Sequence, residues 1–549
     1  MRLFLHTATI VMVSLFSSFV AFAQIIITDD GSGTGTTTWT QDNIYILDGF
    51  VFVNDGDVLN IEPGTVIKGR SGSGADASAL IVARGGVIHA NGTQESPIIF
   101  TFESDALDGS TPFNVRGQWG GVILLGSAQL NSSPGETQIE GIPDNESRGR
   151  YGGIDNMDSS GSISYVSIRH GGTDIGAGNE INGLTLGGVG AGTTLDYIEV
   201  ISNADDGIEF FGGTASMKHV VTAFCGDDSF DYDEGWRGYG QFWCTVQEEG
   251  EGDRGGEHDG GTNPEDGLPY SHPIIYNATY LGQGSSSGKR SLTFRDNAGG
   301  EYHKSIFYNW GKGVDIENLA SGEDSYERFL NNDIVLSDNI FDDCTEVGLA
   351  ANSSDLFKVT MGSGWTSNSD SIIAVETSTN AFQASFEANN NSVIASGLNY
   401  VIEEGSGLLD FVPNSDLYSN SESEIEWFDA TTYPGAFDPA DDCTWLSGWS
   451  MLYTRGFIDC TNSIDEELNS EFKIYPNPSN GNFSLTFDSN IDMATITVVD
   501  ITGQGIYNNS INVVPNSRVN INLGHRTPGI YVMSISFGNQ IYHSKLIIE

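Results

Sequence analysis

Leu59-Asn60-Ile61-Glu62-Pro63-Gly64-Thr65-Val66-Ile67-Lys68-Gly69 is followed, 21 residues later, by Leu80-Ile81-Val82-Ala83-Arg84-Gly85-Gly86-Val87-Ile88-His89-Ala90. Leu59 maps to Leu80, Ile61 to Val82, Gly64 to Gly85, Val66 to Val87 and Ile67 to Ile88. Further on, Asp205-Asp206-Gly207-Ile208-Glu209-Phe210 matches Asp227-Asp228-Ser229-Phe230-Asp231-Tyr232 at a step of 22, and Ile198, Val220 and Phe242 carry that step onward. Within each copy the apolar residues alternate over three or four positions before Gly or Asp turns the chain. Strands this short and half-buried make no stable sheet alone, but they can stack on their own copies. A turn of about 22 residues holds three short strands and three corners, with successive turns ~4.8 Å apart. The fold class this predicts is all-β, a right-handed parallel β-helix. Further coils are expected at 97–101, 119–124, 163–166, 184–186, 274–276, 292–294 and 306–308. The competing folds, a sandwich or a propeller, are opposed by the regular spacing and the lack of hairpin turn signals. From about 345 to 465 the pattern loosens, and Trp445, Trp449 and Phe457 are expected to cap the open end of the solenoid, where core and strand edges would otherwise be bare.

Composition narrows the partners. The chain has 549 residues, with 23 Lys+Arg against 74 Asp+Glu, a formal charge of −51. So acidic a chain lacks the basic footprint that nucleic-acid binding requires, and it is not drawn to an anionic membrane surface. With 38% hydrophobic residues it can build a large core, and its 69 Gly, which follow no collagen period, fit a turn-rich strand protein.

Residues 1–23 carry one arginine (Arg2), an apolar run through Val11, Met12, Val13, Leu15 and Phe16, and the ending Ala21-Phe22-Ala23. This reads as a secretory signal cleaved before Gln24; the run is short for a membrane anchor, and no later stretch has the roughly 18 apolar residues of a spanning helix. The cysteines suit an exported protein: Cys443 can pair with Cys460 and Cys225 with Cys244, leaving Cys344 over, although small buried thiols are an equal alternative for each.

Near residue 465 the composition changes. From Glu471 the acids and bases almost balance, and alternating strands at 483–487, 495–498, 519–523 and 530–535 are separated by turns at Asn480-Gly481, Thr502-Gly503 and Pro528-Gly529. This predicts a small Ig-like β-sandwich. The expected division is therefore 1–23 signal, 24–465 β-helix body and 466–549 terminal sandwich. The tail reads Ile474-Tyr475-Pro476-Asn477-Pro478 with Gly481, then Asp500-Ile501-Thr502-Gly503-Gln504, then Pro528-Gly529-Ile530-Tyr531, and the terminal Lys545-Leu546-Ile547-Ile548-Glu549. In these motifs, their order and spacing it closely resembles the type A C-terminal sorting domain of the Bacteroidota type IX secretion system. The resemblance implies export by the amino-terminal signal, passage through the type IX translocon, processing by its sorting peptidase, and an extracellular or cell-surface location. The body is similar to secreted Bacteroidota β-helix proteins of no assigned activity. That similarity rests on 61–69, 118–122, 205–213, 227–231 and 254–260.

Candidate chemistry gathers between 205 and 259. A 22-residue turn puts Asp205 over Asp227, Asp206 over Asp228 and Glu209 over Asp231, with Glu249 and Asp253 as candidates from a third coil and Asp233 and Glu234 able to complete a shell. Like charges about 5 Å apart repel by roughly 3 kcal/mol at an effective dielectric of about 20, so such pairs need a cation or protons between them. Oxygen ligands at turns suit Ca²⁺, the candidate cofactor; the alternative is that these carboxylates cap turns. The cluster Asp253-Arg254-Gly255-Gly256-Glu257-His258-Asp259 combines acid, base and cation, and Arg254, Glu257 and His258 are the catalytic candidates for a polysaccharide lyase. Hydrolysis would need two spaced carboxylates, which abundant Asp cannot single out. Trp236, Tyr239 and Trp243 either stack on sugar rings or serve the core. His89, His170, His219, His272 and His303 fit no ligand spacing. The expected function is a type IX-exported protein whose body binds extracellular glycans or matrix without catalysis. The alternatives are a polysaccharide lyase or glycoside hydrolase, and a plain structural spacer.

Overall fold

The structure is a computed structural model. It describes residues 23–549 apart from 176–179, 345–355, 363–368, 420–422, 442, 461–471, 476–478, 480, 488–490, 501–503, 514–517, 525, 528, 538–539 and 549. All but residue 23 of the expected signal lies outside the described residues, as do Pro476, Asn477, Pro478, Gly503 and Pro528 of the sorting motif.

The body is a parallel β-helix whose strands stack in three rows. One row is a ten-stranded sheet that includes Val122–Leu125, Leu184–Gly187, Ile208–Phe211, Phe230–Asp233, Gly256–Asp259 and Arg290–Arg295. The other two rows begin as separate short strands, such as Val58–Ile61 and Val66–Gly69. They merge into single long strands at Gly161–Arg169, Thr194–Ile201, Met217–Ala223 and Tyr239–Val246. All the coils expected from the apolar pattern fall on or beside strands.

Part of the register differs from the sequence expectation. The 21-residue step does not superpose Leu59 on Leu80. Leu59 pairs with Thr37 and Ile88, Val66 with Ile44 and Ile99, and Leu80 with Val51 and Val122 in the ten-stranded sheet. Two different strands of one coil share the same alternation, so an apolar match cannot tell them apart. The 22-residue step holds: Ile208 pairs with Phe230, Glu209 with Asp231 and Ile198 with Val220. Val220 then pairs with Trp243, not Phe242.

The coil that carries Met217 onto Gly240 is one residue longer than the coil that carries Leu195 onto Met217, so a 22-residue step lands on the corner residue Phe242. Tyr165, Tyr197, His219 and Phe242 all have left-handed backbones, with φ of 48°, 52°, 48° and 59°. Each such non-glycine residue costs roughly 1–2 kcal/mol. The cost is offset because their rings stack, with centroids 4.3, 4.2 and 4.9 Å apart. Facing inward, Ile198, Val220, Trp243, Phe210, Phe230 and Tyr232 belong to one continuous core.

The segment from about 396 to 460 is a strap along the flank, not a lid on the end. Trp449 meets Tyr165 and Tyr197 edge-on, Trp445 does the same to His219, and Phe457 packs on Phe224. Leu409, Phe411, Phe437, Leu446 and Leu452 share a second core with outward Ile201, Val221, Val246 and Leu281. Outward polar side chains of the solenoid satisfy the strap's backbone. Gln241 exchanges two hydrogen bonds with Asp429, and fully buried Glu199 accepts the Met451 N–H at 2.7 Å. Cys443 and Cys460 form a disulfide within the strap, whereas Cys225, Cys244 and Cys344 are free and buried. Cys225 and Cys244 therefore do not pair: Cys225 lies in the central core and Cys244 faces the strap. The end role expected of the strap falls instead to helix Ser369–Ala388, whose Phe382 and Phe386 pack on Phe357 of the last strand in the ten-stranded sheet.

The tail folds as expected into two antiparallel sheets, of three and four strands, over a shared core of Phe483, Leu485, Ile496, Val498, Met533 and Ile535. Gly481 adopts φ 91°, the Tyr531 hydroxyl donates to the Thr527 carbonyl, and Lys545 pairs through its backbone position with Val532.

Glu199 ties strap to solenoid, accepting also from Ser167 and facing Arg169 at 4.0 Å. Glu199→Ala would strand Arg169 and the Met451 and Leu452 amides of the strap, at about 3–5 kcal/mol. Limited proteolysis should then cut within 396–460 first, while the circular dichroism of the β-helix persists.

Candidate functional site

The site lies on the outer face of the ten-stranded sheet. Inward residues alternate with outward ones, so one outward column runs Thr185, Glu209, Asp231, Glu257, Thr293 and Asp315. Beside it, just before the strands, lie Asn182, Asp206, Asp228 and Arg254. All six candidate acids therefore fall on one face, but they do not form one set.

Asp206, Glu209 and Asp231 are buried, and each offers an oxygen within 4.8 Å of the others. Burial first, then repulsion from neighbouring carboxylates inside and outside the trio, raises all three carboxyls well above their ordinary range. Among the described residues Asp231 Oδ1 has no hydrogen-bond partner, and neither has Oδ1 of Asn182, a buried residue whose Nδ2 donates to Glu209. Calcium takes oxygens at about 2.4 Å, so one ion could touch all three of these carboxylates. Asp205 and Asp227, more open to solvent, form a second such group with Asp206.

One coil along, the acids have cations. Arg254 Nη1 contacts Asp253 at 3.0 Å, Glu257 at 2.9 Å and Asp228 at 3.3 Å, and Lys289 reaches Asp253 at 3.1 Å. Arg295 holds Asp259 at 2.7 Å and Glu257 at 2.9 Å. Burial works against the Arg254 cation, but these carboxylates outweigh it and raise its pKa. Asp206 and Asp228 also cap turns, accepting the N–H groups of Asp228 and Arg254 respectively. Turn capping and converging carboxylates thus coexist in the same ladder. Exposed Glu249 stands outside it, whereas Asp253 joins Asp227 and Asp228.

His258 does not face the ladder. It alternates to the interior, stacks on Tyr232 at 4.3 Å, and shares a hydrogen bond with the Tyr302 hydroxyl at 3.0 Å. Burial brings its pKa down to about 3, so it is a neutral core residue. Trp236 and Trp243 are likewise interior, stacked on Phe210, while Tyr239 packs against Trp427 and Phe428. None of the three is a bare platform. Asp233 and Glu234 border an adjacent cavity of about 650 Å³ together with Glu140, Tyr151, Phe211 and Thr262. Glu234 is taken up by Tyr151 at 2.6 Å and Ser132 at 2.7 Å.

Sequence reasoning did not reach Asn182, Arg295 or a second pairing, in which Glu301 bridges His272 at 2.9 Å and His303 at 2.8 Å. Coils here are longer than 22 residues, so no fixed spacing announces these partners.

The buried acids set an unusual pH response. Burial first, then Glu180, Glu140 and Asp227, raises Asp205 to about 7, and burial raises Asp233 to about 7. The metal-free native state therefore binds more protons than the unfolded chain between about pH 4 and 7, and stability falls as pH rises through that window. Below it the sign reverses. Burial pushes Glu301 up, but hydrogen bonds from His272 and His303 prevail and hold it at about 2, a contribution lost on acidification. Melting in EDTA should show Tm rising from pH 8 toward pH 5; a flat or opposite trend would refute the burial of these charges.

Two family models match the chain. The model described as a pectate-lyase-like β-helix domain covers residues 31–383, and that of a secretion system C-terminal sorting domain covers 473–549. The search of curated proteins returns no match. The sorting tail marks the chain as cargo of the type IX secretion system, delivered to the cell surface or the extracellular space. Among the described residues, no helix is long and apolar enough to cross a membrane. With more than half of its length matched by the first model, the chain belongs to the pectate-lyase-like β-helix family.

Proposed function

We propose that the body is a calcium-bound, non-catalytic module that binds extracellular glycans or matrix after export. The observation that carries the calcium part is the buried trio Asp206, Glu209 and Asp231, whose unpartnered Asp231 oxygen and neighbouring Asn182 oxygen suit a hard cation. What supports binding over catalysis is the state of the candidate catalytic groups. Arg254 is held by three carboxylates, Glu257 is shared between two arginines, and His258 points inward. The amino-terminal segment acts as the export signal in this reading. Removing it before Gln24 takes only Ala23 from the first strand and leaves Gln24–Ile27 paired with Ile44–Leu47. The body then runs to about 465, and the tail is the substrate of the translocon and sorting peptidase.

A lyase is the second reading. It is favoured by the family and by Arg295, whose side chain is 40% exposed between Glu257 and Asp259.

Millimolar Ca²⁺ should raise the Tm of the mature protein over the EDTA value; at a hundredfold excess over Kd the gain is about 2.7 kcal/mol. Asp206→Asn/Asp231→Asn should abolish the shift. An equal Tm with and without Ca²⁺ would remove the calcium site. Release of unsaturated uronides from polygalacturonate or alginate, lost in Arg295→Gln, would replace binding by the lyase reading.

A further inference from the structure

A second site lies away from the acidic face, where the strap crosses the solenoid. There a cavity of about 430 Å³ opens between Asp105, Arg169 and His170 of the solenoid and Glu404, Thr454 and Arg455 of the strap. Its polar groups divide sharply into used and unused. Arg455 is saturated: it grips Glu404 at 2.8 and 2.9 Å and donates to the carbonyls of Thr111 at 2.6 Å and Gly109 at 3.1 Å. Asp105 accepts from Thr101 and Thr111, both at 2.8 Å, and from the Leu107 N–H at 3.1 Å. Arg169 is not saturated. It is only 9% exposed, yet only its Nε donates, to Ser167 Oγ at 2.7 Å. Its terminal nitrogens make no hydrogen bond among the described residues, and Glu199, its one ion-pair partner there, stands at 4.0 Å. His170 Nδ1 donates to the Val115 carbonyl at 2.6 Å, which leaves Nε2 to accept.

The lining therefore offers buried donors on Arg169, an acceptor on His170, the carboxylate of exposed Asp108, whose Oδ1 also accepts the Ser110 N–H at 2.9 Å, and apolar surface from Leu107 and Met451. Three acids against two arginines disfavour an anion. A bulky apolar ligand would leave the guanidinium unpaired, a costly outcome for a buried charge. A ligand that presents several neutral hydroxyls together with a C–H face satisfies all of these groups, and the volume falls within the range of small-ligand sites. We propose that this cavity binds a neutral hexopyranose unit of a glycan, with Arg169 donating to adjacent hydroxyls and Asp108 accepting from them. The inference rests on the glycan-binding reading and gives it a place distinct from the calcium ladder.

The test uses the calcium-loaded full chain with the methyl glycosides of glucose, mannose and galactose, and galacturonate as the charged control. Saturation-transfer NMR reports binding, and amide exchange reports its place. At least one neutral glycoside should bind and slow exchange across 105–111 and 451–455. Arg169→Gln should weaken it tenfold or more. Because Arg169 also faces Glu199, Asp108→Ala serves as a second variant on an exposed side chain, with an expected loss of several fold. The proposal is overturned if no neutral glycoside slows exchange there, if only galacturonate binds, or if both variants bind like the parent. Retention on polysaccharide beads that both variants keep would sink this cavity and spare the glycan-binding reading; no retention by the parent would sink that reading itself.

Discussion

Parallel, in-register stacking sets a constraint that every other feature of this chain obeys. Each side chain lies about 4.8 Å from its equivalent in the next coil. For apolar residues that is a gain: Ile208 over Phe230, and Phe210 over Tyr232, bury one another continuously along the axis. For ionised residues it is a cost, and Glu209 over Asp231 over Glu257 accumulates it. The chain answers that cost differently at successive levels. Where Arg254, Lys289 and Arg295 are at hand the carboxylates are paired; at Asp206, Glu209 and Asp231 they meet one another, and their protons are held far more tightly.

Two faces of the solenoid consequently have different fates. The flank next to the aromatic corner is sealed by the strap, whose apolar residues cover Ile201, Val221 and Val246. Its backbone finds partners in outward Glu199, Gln241 and Thr279. These polar residues look out of place on an apolar flank until the strap's amides are counted, since a buried N–H without a partner is costly. The charged face of the ten-stranded sheet is bordered by the cavity at Glu140, Tyr151 and Asp233. Rigidity from stacking and chemistry from outward columns are thus separated within each strand by the simple alternation of the pleat.

Much of this was legible in the residues. Alternation plus a 22-residue echo is enough for a β-helix, because no other arrangement buries such short strands. The echo at 205–232 even placed Glu209 over Asp231 correctly, since both coils there have equal length. The earlier echo misled because strands of two different rows share the same apolar alternation, and only pairing distinguishes Leu80 over Val51 from Leu80 over Leu59. Phe242 misled by one place because the coil before it has one extra residue, and an apolar corner residue looks like a core residue in a list of types. The tail was clearest of all, as its motifs and its strand spacing agree.

By itself, then, the sequence determined the all-β class, the solenoid body, the terminal sandwich and its sorting role, since these follow from periodicity and local motifs. Tertiary structure alone decided that His258 points inward, that Arg254 is already engaged, and that Asp206, Glu209 and Asp231 converge. It alone placed the strap on the flank and opened the cavity beside Arg169. The physical reason is that facing and partnership depend on where distant segments meet: Glu199 is 252 residues from the Met451 amide it accepts, and no local pattern encodes that contact.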